Sequence, residues 1–481
     1  MVNTVLQVRC HATGNGAGGR PTRLGTMTSS SEGGQPARDA TISRPDARRR
    51  ILTIAVPTFG QLIAEPAFIL IDTAIVGHIG DDALAGLSIG STIILTTVGL
   101  CVFLAYGTTS QVARLIGAGQ RKRGLETGID GMWLALIIGM AVAAAIAWCC
   151  EPLCIALGAQ GGVLDQARRY VNATVFGLPG MLLVYAANGI FRGLRAVRVT
   201  LITAMAGAAV NTLLDMLFVW GLDWGIAGSG TATMIAQWSM GIMLTWRAMR
   251  WTKAEGASWR PRLGGILATA GDGLPLFVRT LALRACMVGT VMLAARMGGQ
   301  VLAAYQAVNS AWNFVINMLD AIGIGGQAIV ATALGANRYG EAQALTSITG
   351  RMGAVMGVGI GAALIALGFV GSPLFSPTPQ VQHLITVGMV TLGLFLPLGG
   401  WMWALDGILI GAGDYRFLAG TCCMVAVVYA GSIIAMLAVN AALSPNDAVR
   451  MVELWTLINV VFIGGRGLAN GLRTRGDAWM R

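Results

Sequence analysis

Residues 83–113 read ALAGLSIGSTIILTTVGLCVFLAYGTTSQVA, and no Asp, Glu, Lys or Arg interrupts them. A lipid-spanning helix needs roughly 20 consecutive apolar residues, so this run alone is long enough to cross a bilayer. Its apolar positions are continuous, without the alternation over about 10 residues that marks a membrane β-strand. Further apolar runs lie near 51–78, 131–149, 167–191, 199–221, 226–246, 273–296, 301–331, 352–371, 384–410, 417–441 and 448–465. Only 11% of the 481 residues are charged and 55% are hydrophobic, whereas a soluble domain carries about 25% charged residues. A soluble fold is excluded. The expected fold class is an all-α integral membrane protein of 12 transmembrane helices. The 67 Gly suit close helix packing in lipid.

The basic residues sort by loop. One side collects the leader, Arg48 to Arg50, Arg114, Arg121 to Arg123, Arg192, Arg195, Arg198, Arg247 to Arg262, Arg338, Arg351, Arg416 and a tail from Arg466 to Arg481. The other side holds only Arg168, Arg169, Arg296 and Arg450. By the positive-inside rule both termini are expected on the cytoplasmic side of the inner membrane. The net charge of +11 therefore reads as topology, and no nucleic-acid partner is expected. Residues 1–47 are rich in Gly, Ser, Thr, Pro and Arg and lack an apolar h-region. They read as a disordered cytoplasmic leader and not a signal peptide, with Met1 and Met27 both candidate starts.

A shift of 218 residues superposes Pro57 on Pro275, Gly80 on Gly298, Leu84-Ala85 on Leu302-Ala303 and Gly117-Ala118 on Gly335-Ala336. It also superposes Pro179 on Pro397, Gly189-Ile190 on Gly407-Ile408 and Arg198 on Arg416. Each repeat then has six helices, and an even number makes the two copies parallel in the membrane. The organisation expected is a six-helix lobe at 48–246, a cytoplasmic linker at 247–272, a second lobe at 273–470 and a tail at 471–481. Parallel repeats are a transporter signature, with the substrate path between lobes.

Glu65, Asp72, Asp215, Arg279, Arg284, Asp320 and Asp406 fall well inside the apolar runs. Each is costly in hydrocarbon and must face a partner or an aqueous cavity. The second half can neutralise itself as a polar network, Arg279 or Arg284 pairing with Asp320 or Asp406. The first half has three carboxylates and no basic residue in any span. A buried carboxylate with no cationic partner holds a proton or binds a cation, so H⁺ or Na⁺ coupling is expected there. Asp72 and Asp215 lie at similar distances from the outer ends of the first and fifth segments, at about 1.5 Å per residue. Asn211 lies one turn before Asp215 on the same face. Glu65 shares the Asp72 stripe, two turns nearer the cytoplasm. Pro66 between them removes a backbone hydrogen bond and kinks the helix, as a moving part or as a static bend.

Taken together, these pieces resemble the multidrug and toxic compound extrusion (MATE) family, DinF-like branch, over roughly residues 48–470. The resemblance rests on Ala55-Val56-Pro57, Asp72-Thr73-Ala74-Ile75-Val76-Gly77 and Leu84-Ala85-Gly86. It rests equally on Asn211-Thr212-Leu213-Leu214-Asp215, Gly225-Ile226-Ala227-Gly228 and Gly335-Ala336, with Arg279, Asp320-Ala321 and Asp406-Gly407. It implies a V-shaped pair of six-helix lobes that extrude organic, often cationic, compounds in exchange for H⁺ or Na⁺. It also implies an ion site in the first lobe, which Asp72, Asn188, Asn211, Asp215 and Thr233 match by position. Asn188 fits the depth argument less well, because Arg192, one turn on, belongs to a basic loop. The NorM-like branch carries an acid in the seventh helix, where this chain has Arg279 and Arg284.

The alternatives are a lipid-linked precursor flippase of the same wider superfamily, which the two Arg keep open, and a membrane-embedded transferase. The transferase lacks support: His11, His78 and His383 are the only histidines, none deep in a span. No C-x-x-C pair and no ATP-binding motif occur. The expectation is therefore a monomeric, gradient-driven transporter in the lipid bilayer, not an enzyme. It takes a small organic substrate and has no metal cofactor beyond a coupling ion.

Overall fold

The computed structural model describes residues 43–443 and 446–480, without the side chains of residues 65, 67–70 and 441–443. Most of the leader, Met27 included, and Arg481 lie outside the described residues. The described chain is nearly all helix. In order the long helices are α1 (Arg44–Gly77), α2 (Asp81–Gly117), α3 (Arg121–Trp148), α4 (Gly161–Gly193), α5 (Val197–Gly221) and α6 (Gly225–Ala254). The second set is α7 (Leu263–Met297), α8 (Gly299–Gly335), α9 (Tyr339–Phe375), α10 (Pro379–Ala412), α11 (Tyr415–Leu443) and α12 (Asp447–Arg475). Among the described residues 10 of these are long and apolar enough to cross a membrane; α6 is as long but more polar, and the middle of α1 includes side chains outside the described residues. A short helix, Cys150–Ala156, joins α3 to α4. The structure is that of a multi-pass membrane protein.

Local chemistry sets the ends. Ser43 caps α1 by accepting from the Asp46 amide, and Asn446 caps α12 by accepting from the Val449 amide. The turns repeat with the sequence. Gly80 and Gly298, one repeat apart, precede α2 and α8 with φ of +152° and +130°, a region open to glycine. Gly119 and Asn337, then Arg195 and Gly413, are two further pairs at the same shift, all left-handed. Backbone geometry thus carries the repeat more clearly than side-chain identity does. The helices also run past the apolar runs: α6 continues to Ala254 and α7 starts at Leu263, so only residues 255–262 of the linker stretch lie between them.

Two large apolar cores form, with a small third cluster of Ala55, Ile322 and Ala404. One unites the N-terminal repeat with the Arg-rich ends of α8 and α10, including Ile329, Val330, Leu334, Leu409 and Ile410. The other lies wholly in the C-terminal repeat, around Trp312, Leu392, Tyr429 and Trp455. The two repeats therefore share a core at the Arg-rich end and not at the opposite end. α7 divides itself between them: Ile266 and Leu276 pack in the first core, Cys286 and Leu293 in the second. Its start is held to α3 by Arg262, which donates to Asp130 and Glu126 at 2.7 Å each. Large apolar side chains such as Ile137, Met140, Phe369 and Val427 face outward, as a lipid-facing surface requires.

Candidate ion-coupling site

Asp72 sits in the last turns of α1, Asn211 and Asp215 end the regular part of α5, and Thr233 lies on α6. Immediately after Asp215 the α5 backbone opens into a π-turn, Met216–Gly221, a distortion common at functional positions. Asn211 Nδ2 donates to Asp72 Oδ1 at 2.8 Å and to Asp215 Oδ2 at 2.7 Å. One amide nitrogen therefore holds both carboxylates. Thr233 Oγ1 makes a long contact of 3.5 Å to Asp72 Oδ2. All three central residues are buried, and among the described residues no Lys, Arg or His bonds to either acid. The other Asp215 oxygen, Oδ1, is buried with no hydrogen-bond partner there.

A cavity opens beside this cluster, with about 120 Å³ open to the centres of water molecules. Gln61, Tyr170, Asn188, Thr233 and Gln237 line it, and Asp72 is its one charged wall residue among the described residues. Asn188 thus joins the same space as Asp72, and its Oδ1 is buried without a partner. The depth conflict at Asn188 disappears because Arg192 is not in a loop. It is buried at the end of α4 and donates to Gln61 Oε1 at 3.2 Å. Pro66 lies inside α1, which stays helical through it. The Glu65 side chain lies outside the described residues.

The C-terminal charges divide. Arg279 on α7 bonds Asp406 on α10, and Arg466 on α12 donates to the same Asp406 oxygen at 2.7 Å. Asn470 completes the set at 3.0 Å. Asp320 is not part of that ion pair; it accepts from Tyr106 of the other repeat at 2.6 Å. Arg284 is exposed, and among the described residues no carboxylate pairs with it; its guanidinium lies against Gly99 of α2. With Arg279 held by Asp406, one of the two cations that kept a flippase open is committed to an ion pair. Sequence reasoning missed Gln61, Arg192, Arg466 and Asn470. Both Arg stand just past an apolar run and read there as loop charges.

A sequence profile of the MatE family matches residues 57–217 and again residues 275–446. The chain belongs to the MatE family. Its two matched stretches start at Pro57 and Pro275, one 218-residue shift apart, and members of the family are transporters of multidrug and toxic compounds, not enzymes. Among curated relatives, Protein DETOXIFICATION 43 of Arabidopsis thaliana is 27% identical, covering 83% of this chain and 86% of that protein. The DNA damage-inducible protein F of Escherichia coli (strain K12) is 24% identical, covering 75% and 79%, in keeping with a DinF-like branch. The Vibrio cholerae MATE transporter VcmN in its bent form shares the fold, with a TM-score of 0.80 at 18% identity over 91% of this chain and 99% of that one.

Proposed function

We propose that this MatE chain exports organic, often cationic, compounds by alternating access in exchange for H⁺ or Na⁺, with Asp72, Asn211 and Asp215 as the coupling site. The observation that carries the reading is the single Asn211 amide shared by two buried carboxylates with no basic partner among the described residues. Two buried acids sharing one amide do not both stay ionised without a counter-cation. One proton or one Na⁺ supplies the missing charge. Asn188 and Thr233, which line the same cavity, offer neutral oxygens as further ligands. Substrate and ion then compete for one space: a cationic compound entering the cavity meets Asp72, and loading of the coupling ion removes the charge that attracts it.

We further infer that the Arg-rich end faces the cytoplasm of the inner membrane. The shared core at that end then supports a cytoplasm-closed arrangement. Both repeats are supplied by one chain, which fits a monomer.

The test is dye efflux from proteoliposomes with pH and Na⁺ gradients imposed separately. Wild-type efflux is expected to follow one gradient, and Asp72→Asn and Asn211→Ala each to lower it roughly ten-fold, as loss of a charge-assisted contact implies. Full gradient-driven efflux by Asp72→Asn overturns the assignment.

A further inference from the structure

The face that α8 turns toward α2 is fixed by two contacts. Asp320 accepts from Tyr106 Oη of α2 at 2.6 Å, and Gln327 Nε2 donates to Ser110 Oγ of α2 at 2.9 Å. Away from the Arg-rich end, along the same uninterrupted helix, Asn317, Asn313, Ser310 and Gln306 recur every three or four residues and so share that face. Asn313, Ser310 and Gln306 are exposed there, and Asn317 is half-buried. α2 answers with Ser88, Thr92 and Thr96, all exposed. Ser88 and Thr92 are the 218-residue counterparts of Gln306 and Ser310. Exposed polar side chains at membrane depth belong in water and not against lipid tails. The two helices therefore touch at one end and part toward the other, leaving a polar cleft between the repeats with the Tyr106–Asp320 bond as its floor.

Arg284 enters this cleft from the side. It stands midway along the apolar run 273–296, too deep for its head to reach either membrane surface. Its side chain is exposed, and its Nη2 lies against Gly99 of α2, where a Cβ would collide with it. Gly99 belongs to the Ser88–Thr92–Thr96 face and is the 218-residue counterpart of Asn317. The guanidinium thus sits about one to two helical turns above the floor. No neighbouring acid is free for it among the described residues: Asp320 accepts from Tyr106, and Asp406 is held by Arg279 and Arg466. The α8 and α2 side chains that share its cleft are neutral amides and hydroxyls. A guanidinium between neutral walls lacks a counter-charge. Its planar fork matches two oxygens of a carboxylate, sulfonate or phosphate.

We propose that Arg284 makes the cleft a binding site for compounds that carry an anionic group, a carboxylate, sulfonate or phosphate. The amides of α8 and the hydroxyls of α2 take the remaining polar atoms of the ligand. The site is opposite in sign to the Asp72 cavity, which meets α2 on another side, at Ile94 and Val98. What carries the assignment is the reach of Arg284 to Gly99: the guanidinium spans the gap between the repeats and is not folded onto its own helix. Next to Arg284, Leu281, Ala285 and Val288 form an exposed apolar face of α7. The anionic group can therefore arrive on a small organic compound or on a lipid phosphate, with the same chemistry at Arg284. For transport the inference rests on the export reading, since it names a feature of the exported compound; binding itself needs no gradient.

The probes are rhodamine B and its ethyl ester, one fluorophore with and without a free carboxylate. Their binding to the full chain in phosphatidylcholine nanodiscs is followed by fluorescence polarisation against empty nanodiscs. Arg284→Gln should lower the ratio of acid to ester affinity roughly ten-fold, as loss of one charge-assisted contact implies. Arg284→Lys should restore most of it. Unchanged binding of the ester by Arg284→Gln shows that the variant is folded. An unchanged ratio in Arg284→Gln, or no saturable binding of the acid by the wild type, overturns the site. Nanodiscs that also contain phosphatidylglycerol separate the two sources of the anion. Displacement of the acid by this lipid from the wild type, and not from Arg284→Gln, assigns the site to a lipid phosphate. Equal binding of the acid in both bilayers assigns it to the anionic group of the compound. If instead the export reading is at fault, wild-type efflux ignores both ion gradients while Arg284→Gln still lowers the ratio.

Discussion

Guanidinium groups from Arg279 and Arg466, together with the Asn470 amide, converge on the single carboxylate of Asp406. Two cations on one anion leave a positive charge inside the C-terminal repeat, and aromatic faces share it: Arg466 lies 5.5 Å from the Trp403 ring centre and 5.3 Å from that of Phe462. Removing the acid therefore strands two buried cations, whereas removing one cation leaves a neutral pair. Asp406→Ala should cost about 3–5 kcal/mol, and Arg466→Met clearly less. Thermal unfolding of the detergent-solubilised chain, followed by tryptophan fluorescence, ranks them; equal melting temperatures for wild type and Asp406→Ala would sink the account. Asp72 and Asp215 were legible in the sequence because they are acids well inside apolar runs with no basic residue as deep in that half, whereas Asp406 had Arg279 and Arg284 to pair with. Arg192 and Arg466 were not, because hydropathy ends where a basic residue begins while the helix and its burial continue. Tyr106 carried no charge to flag it at all.

At the scale of elements, close packing depends on glycines whose partners the sequence does not name. α9 carries Gly353, Gly357 and Gly361 one turn apart, facing the carbonyls of Gly400, Leu396 and Gly393 on α10. A Cβ at Gly357 would also come within 2.9 Å of the Pro397 Cα, and these are backbone atoms that cannot rotate away. Gly357→Val should destabilise by about 1–3 kcal/mol, the usual cost of overpacking. Gly359, on the same helix with nothing within 4 Å of a Cβ, is the control, and Gly359→Ala should be neutral. Identical melting temperatures for the two variants would mean that the helices slide apart without cost. The number and order of helices were legible from apolar runs alone, and the repeat from paired prolines and glycines. The turn at Cys101 and Val102 inside α2 was hidden, because residues 83–113 stay apolar across it. The π-turn after Asp215 was hidden for the same reason: both states of the backbone are equally apolar.

For the whole molecule, orientation follows from an alternation of charge, and a single helix missed or added would invert everything after it. The two cores bear on the same question, since the repeats share one core only where the basic residues gather. Cys149, exposed between α3 and the short helix that follows, lies at the end of α3 opposite its Arg-rich start. The other described cysteines are buried, apart from a half-buried Cys423 in α11. A membrane-impermeant maleimide added to intact cells should therefore label the wild type, and Cys149→Ser should lose most of the label. Lys122→Cys in a background lacking Cys10, Cys149 and Cys423 sits one helix length away at the Arg-rich end. It should react only after the membrane is permeabilised. The physical basis is strong: each Arg dragged to the wrong side must cross hydrocarbon, at about 2.5–3.5 kcal/mol even on insertion scales. The N-terminal repeat alone places several on one side. Labelling of Lys122→Cys in intact cells, with Cys149 silent, would reverse the molecule and turn the shared core into an outer gate. Labelling of both would show that α3 does not span the bilayer, and the twelve-helix count would fall with it.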